Sequence, residues 1–294
     1  MPSALDIVLP NVHDAANTAS GTGQRRYFIL NAVRLLALAI AALGGAVAFK
    51  VGNFDGSGTL LLIGFAVAAV AEFSLILFQP ERDWYAGRAV AESTKTLAWR
   101  YSVRGEPFGP DLGDSEAEAL MRVRIDEVLQ RGRDRINVGL GHAVITPQMR
   151  ELRAEAFAVR QRSYLEKRTN DQRQWYSSNA QKNEKRATLL RFALLVGEVL
   201  ALLLAAVMLG RDRPADFAGI AAACVAGGAA WLALKQHSPL TSAYRVAAAE
   251  LALQASVLSD VTEDQWPKAV ADAEEAISRE HIMWLASRGE KPLP

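Results

Sequence analysis

Four long and nearly uncharged apolar runs constrain this chain more than any other feature of its sequence. Tyr27–Phe49 (YFILNAVRLLALAIAALGGAVAF) holds one charge in 23 residues, and Thr59–Gln79 (TLLLIGFAVAAVAEFSLILFQ) one in 21. Thr188–Gly210 (TLLRFALLVGEVLALLLAAVMLG) has two charges in 23 residues, and Phe217–Leu234 (FAGIAAACVAGGAAWLAL) is shorter but uncharged. At about 1.5 Å per helical residue such runs cover about 30 Å, the hydrocarbon thickness of a bilayer, so each is predicted to be a transmembrane helix. The linkers inside each pair, Lys50–Gly58 and Arg211–Asp216, are turn-rich and too short for anything but a helical hairpin. The expected fold class is an all-α membrane protein with two transmembrane helical hairpins and cytoplasmic helical extensions. A secretory signal is the rival for the first run, because Ala46-Val47-Ala48 resembles a cleavage site, but 26 largely polar residues precede a run too long for an h-region.

The positive charges orient the hairpins. Of 33 Lys and Arg, two precede the first run, 20 lie between Glu81 and Ala187, and six follow Leu234. Lys50, Arg211 and Arg213 alone lie in the hairpin loops. The excess outside the loops makes both termini and the central segment cytoplasmic, and the expected location is the cell inner (plasma) membrane, multi-pass. A net charge of +1 gives no reason to expect nucleic acid as a partner, and a single cysteine, Cys224, excludes an intramolecular disulfide framework.

The polar segments read as helices. Residues 1–26 form an N-terminal tail, and residues 27–104 a first module with spans 27–49 and 59–79. Trp84, Ala91, Thr94, Ala98 and Tyr101 make a helical stripe leaving the second span, with Pro80 marking the restart. Residues 105–146 are a linker, Gly105–Gly113 (GEPFGPDLG), and a short helix from Ser115 with Glu118 completing a capping box. In the second module, 147–294, Thr146 caps a helix starting at Pro147 that meets no further proline before Gly210, so one helix of up to 64 residues is expected to enter span 188–210. Phe157, Tyr164, Trp175 and Tyr176 form a sparse seam on it, and its many basic residues, Arg150, Arg153, Arg160, Arg162, Lys167, Arg168 and Arg173, read as a solvated face or an anionic-lipid contact. Span 217–234 is followed by a helix opened by Pro239, then one capped by Asp260 or Thr262 that carries Trp266, Val270, Ala273, Ile277 and Trp284. Tyr85/Arg88/Glu92 are loosely echoed by Tyr244/Arg245/Glu250, with spacings that differ by one.

RDWYAGRAVAESTKTLAWRY, DQRQWY and AEEAISREHIMW carry a family resemblance. The chain resembles the SLATT family, SMODS- and SLOG-associating two-transmembrane effectors, in tandem form. The residues that carry it are Trp84, Tyr85, Arg88, Glu92, Trp99, Arg100, Asp171, Gln172, Trp175, Tyr176, Glu274, Ser278, Glu280, His281 and Trp284. The resemblance implies a membrane hairpin with a cytoplasmic helical extension, and pore-forming or membrane-disrupting effectors of bacterial conflict and antiphage systems, triggered by a partner that senses or makes a nucleotide signal. No such sensor or synthase is fused here, so the sensor is expected as a separate protein or as an unrecognised surface of this one.

Ionisable residues inside spans cost about 2.5 kcal/mol or more near the bilayer centre unless paired or hydrated. Arg34 and Glu72 sit at similar depth in the first hairpin and either pair or line a polar pathway. Glu198 lies near the middle of the third span, seven residues from Arg191, with no charge in the fourth span to neutralise it. It is either a protonated carboxyl hydrogen-bonded between helices or part of a carboxylate ring facing a pore. Gly219, Ala223 and Gly227 form a small-residue contact face on the fourth span, and Gly44-Gly45 serve similarly in the first or mark a bend. No metal, nucleophile or nucleotide-binding motif is present, and His13, His142, His237 and His281 are scattered. The chain is therefore expected to be a non-enzymatic, cofactor-free effector, homo-oligomeric in the bilayer and pore-forming. The alternatives are a regulated ion channel or small-solute transporter, or a scaffold that recruits a partner.

Overall fold

The computed structural model describes residues 4–52, 54–135, 143–209 and 216–287, and side-chain surroundings for these except Val51 and residues 278–287. The helices are α1 (Asn11–Ala46), α2 (Gly56–Phe78), α3 (Pro80–Ser102), α4 (Asp114–Gly132), α5 (Pro147–Ala154), α6 (Phe157–Ser163), α7 (Asp171–Met208), α8 (Phe217–Lys235), α9 (His237–Asp260) and α10 (Trp266–Ser287). A π-helical stretch, Tyr164–Asn170, joins α6 to α7. The all-α expectation holds, the one exception among the described residues being a two-residue antiparallel ladder, β1 (Lys50–Val51) with β2 (Phe54–Asp55), that closes the first hairpin. Four helical stretches are long and apolar enough to cross a membrane: Asn11–Ala46, Gly56–Ser102, Phe157–Met208 and Phe217–Asp260. The chain divides into two compact units. One is Met1–Gln24, Glu81–Ala180 and Ser242–Pro294; the other is Arg25–Pro80 and Gln181–Thr241.

The second unit contains the four apolar runs. In the first hairpin the contact is a seam of small residues on matching steps: Ala37 and Ala41 on α1 face Gly64, Ala68 and Ala71 on α2, and all are buried. A Cβ on Gly64 would sit 2.7 Å from the Ala37 carbonyl oxygen and the Ala41 nitrogen, and one on Gly44 2.6 Å from the Leu61 nitrogen. Only glycine admits backbones this close, and in lipid, where apolar side chains gain nothing by meeting each other, such close packing holds helices together. Gly44 is thus a contact residue, whereas a Cβ on Gly45 would meet only a Leu61 methyl at 3.7 Å. In the second hairpin the contact is Gly228 against Leu194 and Gly197 against Val225. Within this hairpin the Gly219, Ala223 and Gly227 face is not the contact: a Cβ on Gly227 would meet nothing within 4 Å and one on Gly219 would meet its own helix cap, Asp216, which leaves a contact between subunits as the proposed role of that face. Asp216 N–H donates to the Ala46 carbonyl at 2.9 Å and Phe28 packs on Trp231, so the two hairpins meet near both ends.

The repeat suggested by the sequence lies in the helix ends. The second helix of each hairpin is N-capped by an aspartate that accepts from a glycine N–H three residues on, Asp55 from Gly58 and Asp216 from Gly219. Each then stops at a left-handed glutamine, Gln79 (φ 46) or Gln236 (φ 51), whose N–H closes back on Leu75 or Leu232. A new helix begins at the very next residue in both cases, Pro80 as expected and His237 two residues before Pro239. Between these ends α2 has 23 residues and α8 has 19, a difference of about one helical turn, which blurs the sequence register.

The first unit is a helical bundle around Trp266, Tyr101, Tyr164, Phe108, Met121, Met149 and Leu152, all nearly inaccessible. Every residue of the α3 stripe is buried, from Trp84 to Tyr101. Three sequence expectations are corrected here. The 1–26 tail is helical from Asn11: Val12, Ala16 and Ser20 form a buried stripe, and α3 approaches so closely that a Cβ on Gly87 would lie 2.6 Å from the Ser20 nitrogen. Small residues carry this contact, so hydropathy gives no sign of it. Second, α4 is capped at Gly113, whose N–H donates to Glu116, because Glu118 is drawn instead to Arg150 and Arg122. Third, the expected 64-residue helix breaks at Glu155-Ala156, both extended. No glycine or proline marks the break; arginines stabilise it, Arg104 donating to the Arg153 carbonyl and Arg160 to the Glu155 carbonyl.

Candidate functional site

The short Gly/Ala seam of the first hairpin sets the geometry of its charges. Arg34 lies one turn before Ala37 and Glu72 follows Ala71, so the close backbones let Arg34 Nη1 reach Glu72 Oε2 and form an ion pair. The pair is partly exposed, with side-chain accessibilities of 32% and 47%.

The charges of α7 differ. Glu198 and Arg191 are both exposed, and neither has an ion-pair partner among the described residues. Seven residues place them on one face but about 10 Å apart along the axis, and the arginine side chain leans toward the helix N-terminus, away from Glu198. None of the most apolar 18-residue window of this helix is buried within the chain, nor of that in α8. Glu198 therefore sits on an apolar surface that something other than this single chain must cover.

A third charge cluster is fully enclosed, in the first unit. The π-helical stretch seats Tyr164, Arg168 and Thr169 inward together, all at 1% exposure or less. Arg168 clasps Glu274 of α10 with two parallel bonds, Nε to Oε1 at 2.8 Å and Nη2 to Oε2 at 2.6 Å. Tyr164 Oη donates to Oε1 and Thr96 Oγ1 to Oε2, each at 2.8 Å, so both carboxylate oxygens are doubly satisfied. Burial alone would push the Glu274 carboxyl up, but the Arg168 charge and these four bonds outweigh it and hold it below the ordinary value. Burial, reinforced by the Glu274 charge, pushes the Tyr164 phenol well above its usual range, so it remains a donor. Nearby, burial and then the Arg168 charge push the Lys95 ammonium down; Lys95 donates to Gln172 at 3.4 Å.

Two further arginines bind main chain. Arg153, 2% exposed, donates to the Tyr101 carbonyl at 3.1 Å, the Phe108 carbonyl at 2.9 Å and Asp114 at 3.0 Å, and stacks over the Tyr101 ring. Arg160 donates to the Val103 carbonyl and to Glu263, and Trp266 Nε1 donates to the same Val103 carbonyl at 2.8 Å. The Gly105–Gly113 stretch, read as a linker, is thus strapped into the core, with Phe108 fully buried. Sequence reasoning placed Arg153, Arg160 and Arg168 on a solvated face; their burial corrects that. The available signal was their interleaving with Met149, Leu152, Val159 and Tyr164, all of which are buried on the same side.

The residues of the family resemblance gather in this unit. Trp84 and Tyr85 pack ring on ring, Arg88 pairs with Glu92 at 3.6 Å, and Trp99 meets Tyr164 edge to face. Arg100 donates to the Ala271 carbonyl, and Asp171 opens α7. Trp175 and Tyr176 form a three-ring cluster with Tyr244. Ser278, Glu280, His281 and Trp284 lie in α10, their side chains outside the described residues, as is His142 altogether. Among the described residues no group of three His, Cys, Asp or Glu is placed to hold a metal ion.

Two family models match in tandem. One, described as SMODS and SLOG-associating 2TM effector domain 3, matches residues 10–161, more than half of the chain; the other, described as domain 1 of the same kind, matches residues 164–284. No curated protein and no solved structure matches. The two matches meet inside the helix that bears Arg160 and Tyr164, so the two family segments share a single core in the first unit.

Proposed function

We propose, on the premise that this chain belongs to the SMODS- and SLOG-associating two-transmembrane effector family, that it assembles as a homo-oligomer in the bacterial inner membrane and opens an ion-conducting pore. The observation that carries this reading is Glu198: an exposed carboxylate in the middle of an apolar helix, with no counter-charge among the described residues. Facing lipid, such a group costs several kcal/mol; facing a water-filled axis shared by several copies it is hydrated and forms a ring of negative charge that favours cations. The charge distribution of the loops and flanks supports cytoplasmic termini and a cytoplasmic first unit. The trigger in this reading is a cytoplasmic partner, such as a separate protein that senses or makes a nucleotide signal.

The gating element in this proposal is the π-helical stretch before α7. Conversion of Tyr164–Asn170 to ordinary α geometry would change its winding and rotate everything that follows, including Glu198, while the Arg168–Glu274 clasp holds it in place until a partner shifts the balance. Induced expression in a bacterial host with a voltage-sensitive dye tests the function. Rapid depolarisation with loss of viability is expected; selective flux without toxicity would identify an ordinary channel, and neither would identify a scaffold.

A further inference from the structure

In the second unit, Lys235 has aromatic rings for partners and no carboxylate among the described residues. Lys235, the last residue of α8, points its Nζ at two aromatic faces, 3.4 Å from the centroid of Phe28 on α1 and 4.8 Å from that of Trp231. Phe28 and Trp231 themselves pack edge to face at 6.1 Å, so the ammonium sits against a rigid aromatic wall. Arg186, exposed, lies on α7 one helical turn after Asn183. Asn183 Oδ1 and His237 Nδ1 are hydrogen-bonded at 2.7 Å, which sets this stretch of α7 beside the start of α9. Burial, and then the Arg186 and Lys235 charges, push the His237 imidazole below the ordinary histidine value, so it adds no positive charge near neutrality. Arg25, exposed, lies one helical turn before Phe28. Neither Lys235 nor Arg186 forms an ion pair with any acidic group among the described residues.

An ammonium held against two rings at the end of an apolar run, with exposed arginines on the neighbouring helices α1 and α7, suits an anion with an apolar body attached. We propose that Lys235, Arg186 and Arg25, with the Phe28 and Trp231 rings, bind the phosphate headgroup of an anionic phospholipid, whose acyl chains run along the exposed apolar faces of the adjoining helices. A soluble phosphate shares the headgroup chemistry but not the chains. A purely structural role for Lys235, as a cation strut between α1 and α8, requires neither.

Native mass spectrometry of the detergent-solubilised full chain, titrated with phosphatidylglycerol or phosphatidylcholine, separates these. Wild type is expected to retain phosphatidylglycerol preferentially. Each cation near an anionic headgroup contributes roughly fivefold, so K235Q and R186Q are each expected to weaken phosphatidylglycerol retention by about that factor, with phosphatidylcholine unaffected. K235R is expected to keep most of the preference. Arg186 is exposed, so R186Q folds even if K235Q proves unstable. An unchanged phosphatidylglycerol preference in R186Q and in K235Q, or displacement of the lipid by equimolar inorganic phosphate, would overturn the proposal.

Discussion

Glu274→Ala is expected to destabilise the first unit by about 3–5 kcal/mol, because it leaves the Arg168 guanidinium buried and charged with no partner. Thermal unfolding of the detergent-solubilised full chain, followed by tryptophan fluorescence, reports it directly, since Trp99 and Trp266 stand around the clasp. Arg168→Met combined with Glu274→Leu removes both charges and is expected to recover part of the loss, because a buried ion pair and a well-packed apolar pair are of similar stability while the Tyr164 and Thr96 hydroxyls lose their acceptor. The clasp also makes an acid-sensitive contribution. The folded Glu274 carboxyl is held below its unfolded value, so its stabilisation is complete above about pH 4.3 and is lost as pH falls through the folded value. Glu274→Gln is expected to flatten that part of the stability profile. A loss under 1 kcal/mol in Glu274→Ala would show that the clasp is not closed in the native protein.

Arg153→Met is expected to be the second large effect. The methionine fills much of the same space but withdraws the donor from the buried Phe108 carbonyl, at about 1–3 kcal/mol, and leaves the Tyr101 carbonyl only the long bond from the Arg104 N–H at 3.4 Å. The Asp114 contact adds little, since that side chain is 72% exposed. A total of about 3 kcal/mol corresponds to on the order of a hundredfold in local opening of the Gly105–Gly113 stretch. Limited trypsinolysis should therefore cut the variant after Arg104 far faster than wild type. Equal cleavage rates would mean that the stretch is a free linker after all.

What was legible in the sequence follows from what each signal measures. The spans, hairpins and the α3 stripe were readable because apolar continuity and 3.6-residue periodicity report burial directly, in lipid or in a core. Glu198 and the Arg34/Glu72 pair stood out for the same reason, as exceptions to continuity. The helical start at Asn11 was not readable, because its contact with α3 is made by Ala16, Ser20 and Gly87, residues chosen for size. The buried arginines were hidden by the rule that charge means solvent. Arg153, Arg160 and Arg168 enter the core because carbonyls exposed by the α5 break and the 105–113 strap, together with Glu274, satisfy them there, and those partners are 30 or more residues distant in the chain or created only by the fold. Glu274 was legible as part of a motif, but its role required Arg168, Tyr164 and Thr96 in three dimensions. Which α8 glycine packs inside the hairpin was not readable, because Gly227 and Gly228 are adjacent and only the position of Leu194 tells them apart.

The most direct test of the pore account is ion flux and selectivity through the full-length chain reconstituted in liposomes, comparing wild type with Glu198→Gln. The account predicts a cation-preferring flux in wild type and loss of that preference in Glu198→Gln, with Arg34 and Glu72 untouched. Flux and selectivity that are the same in both proteins would contradict it.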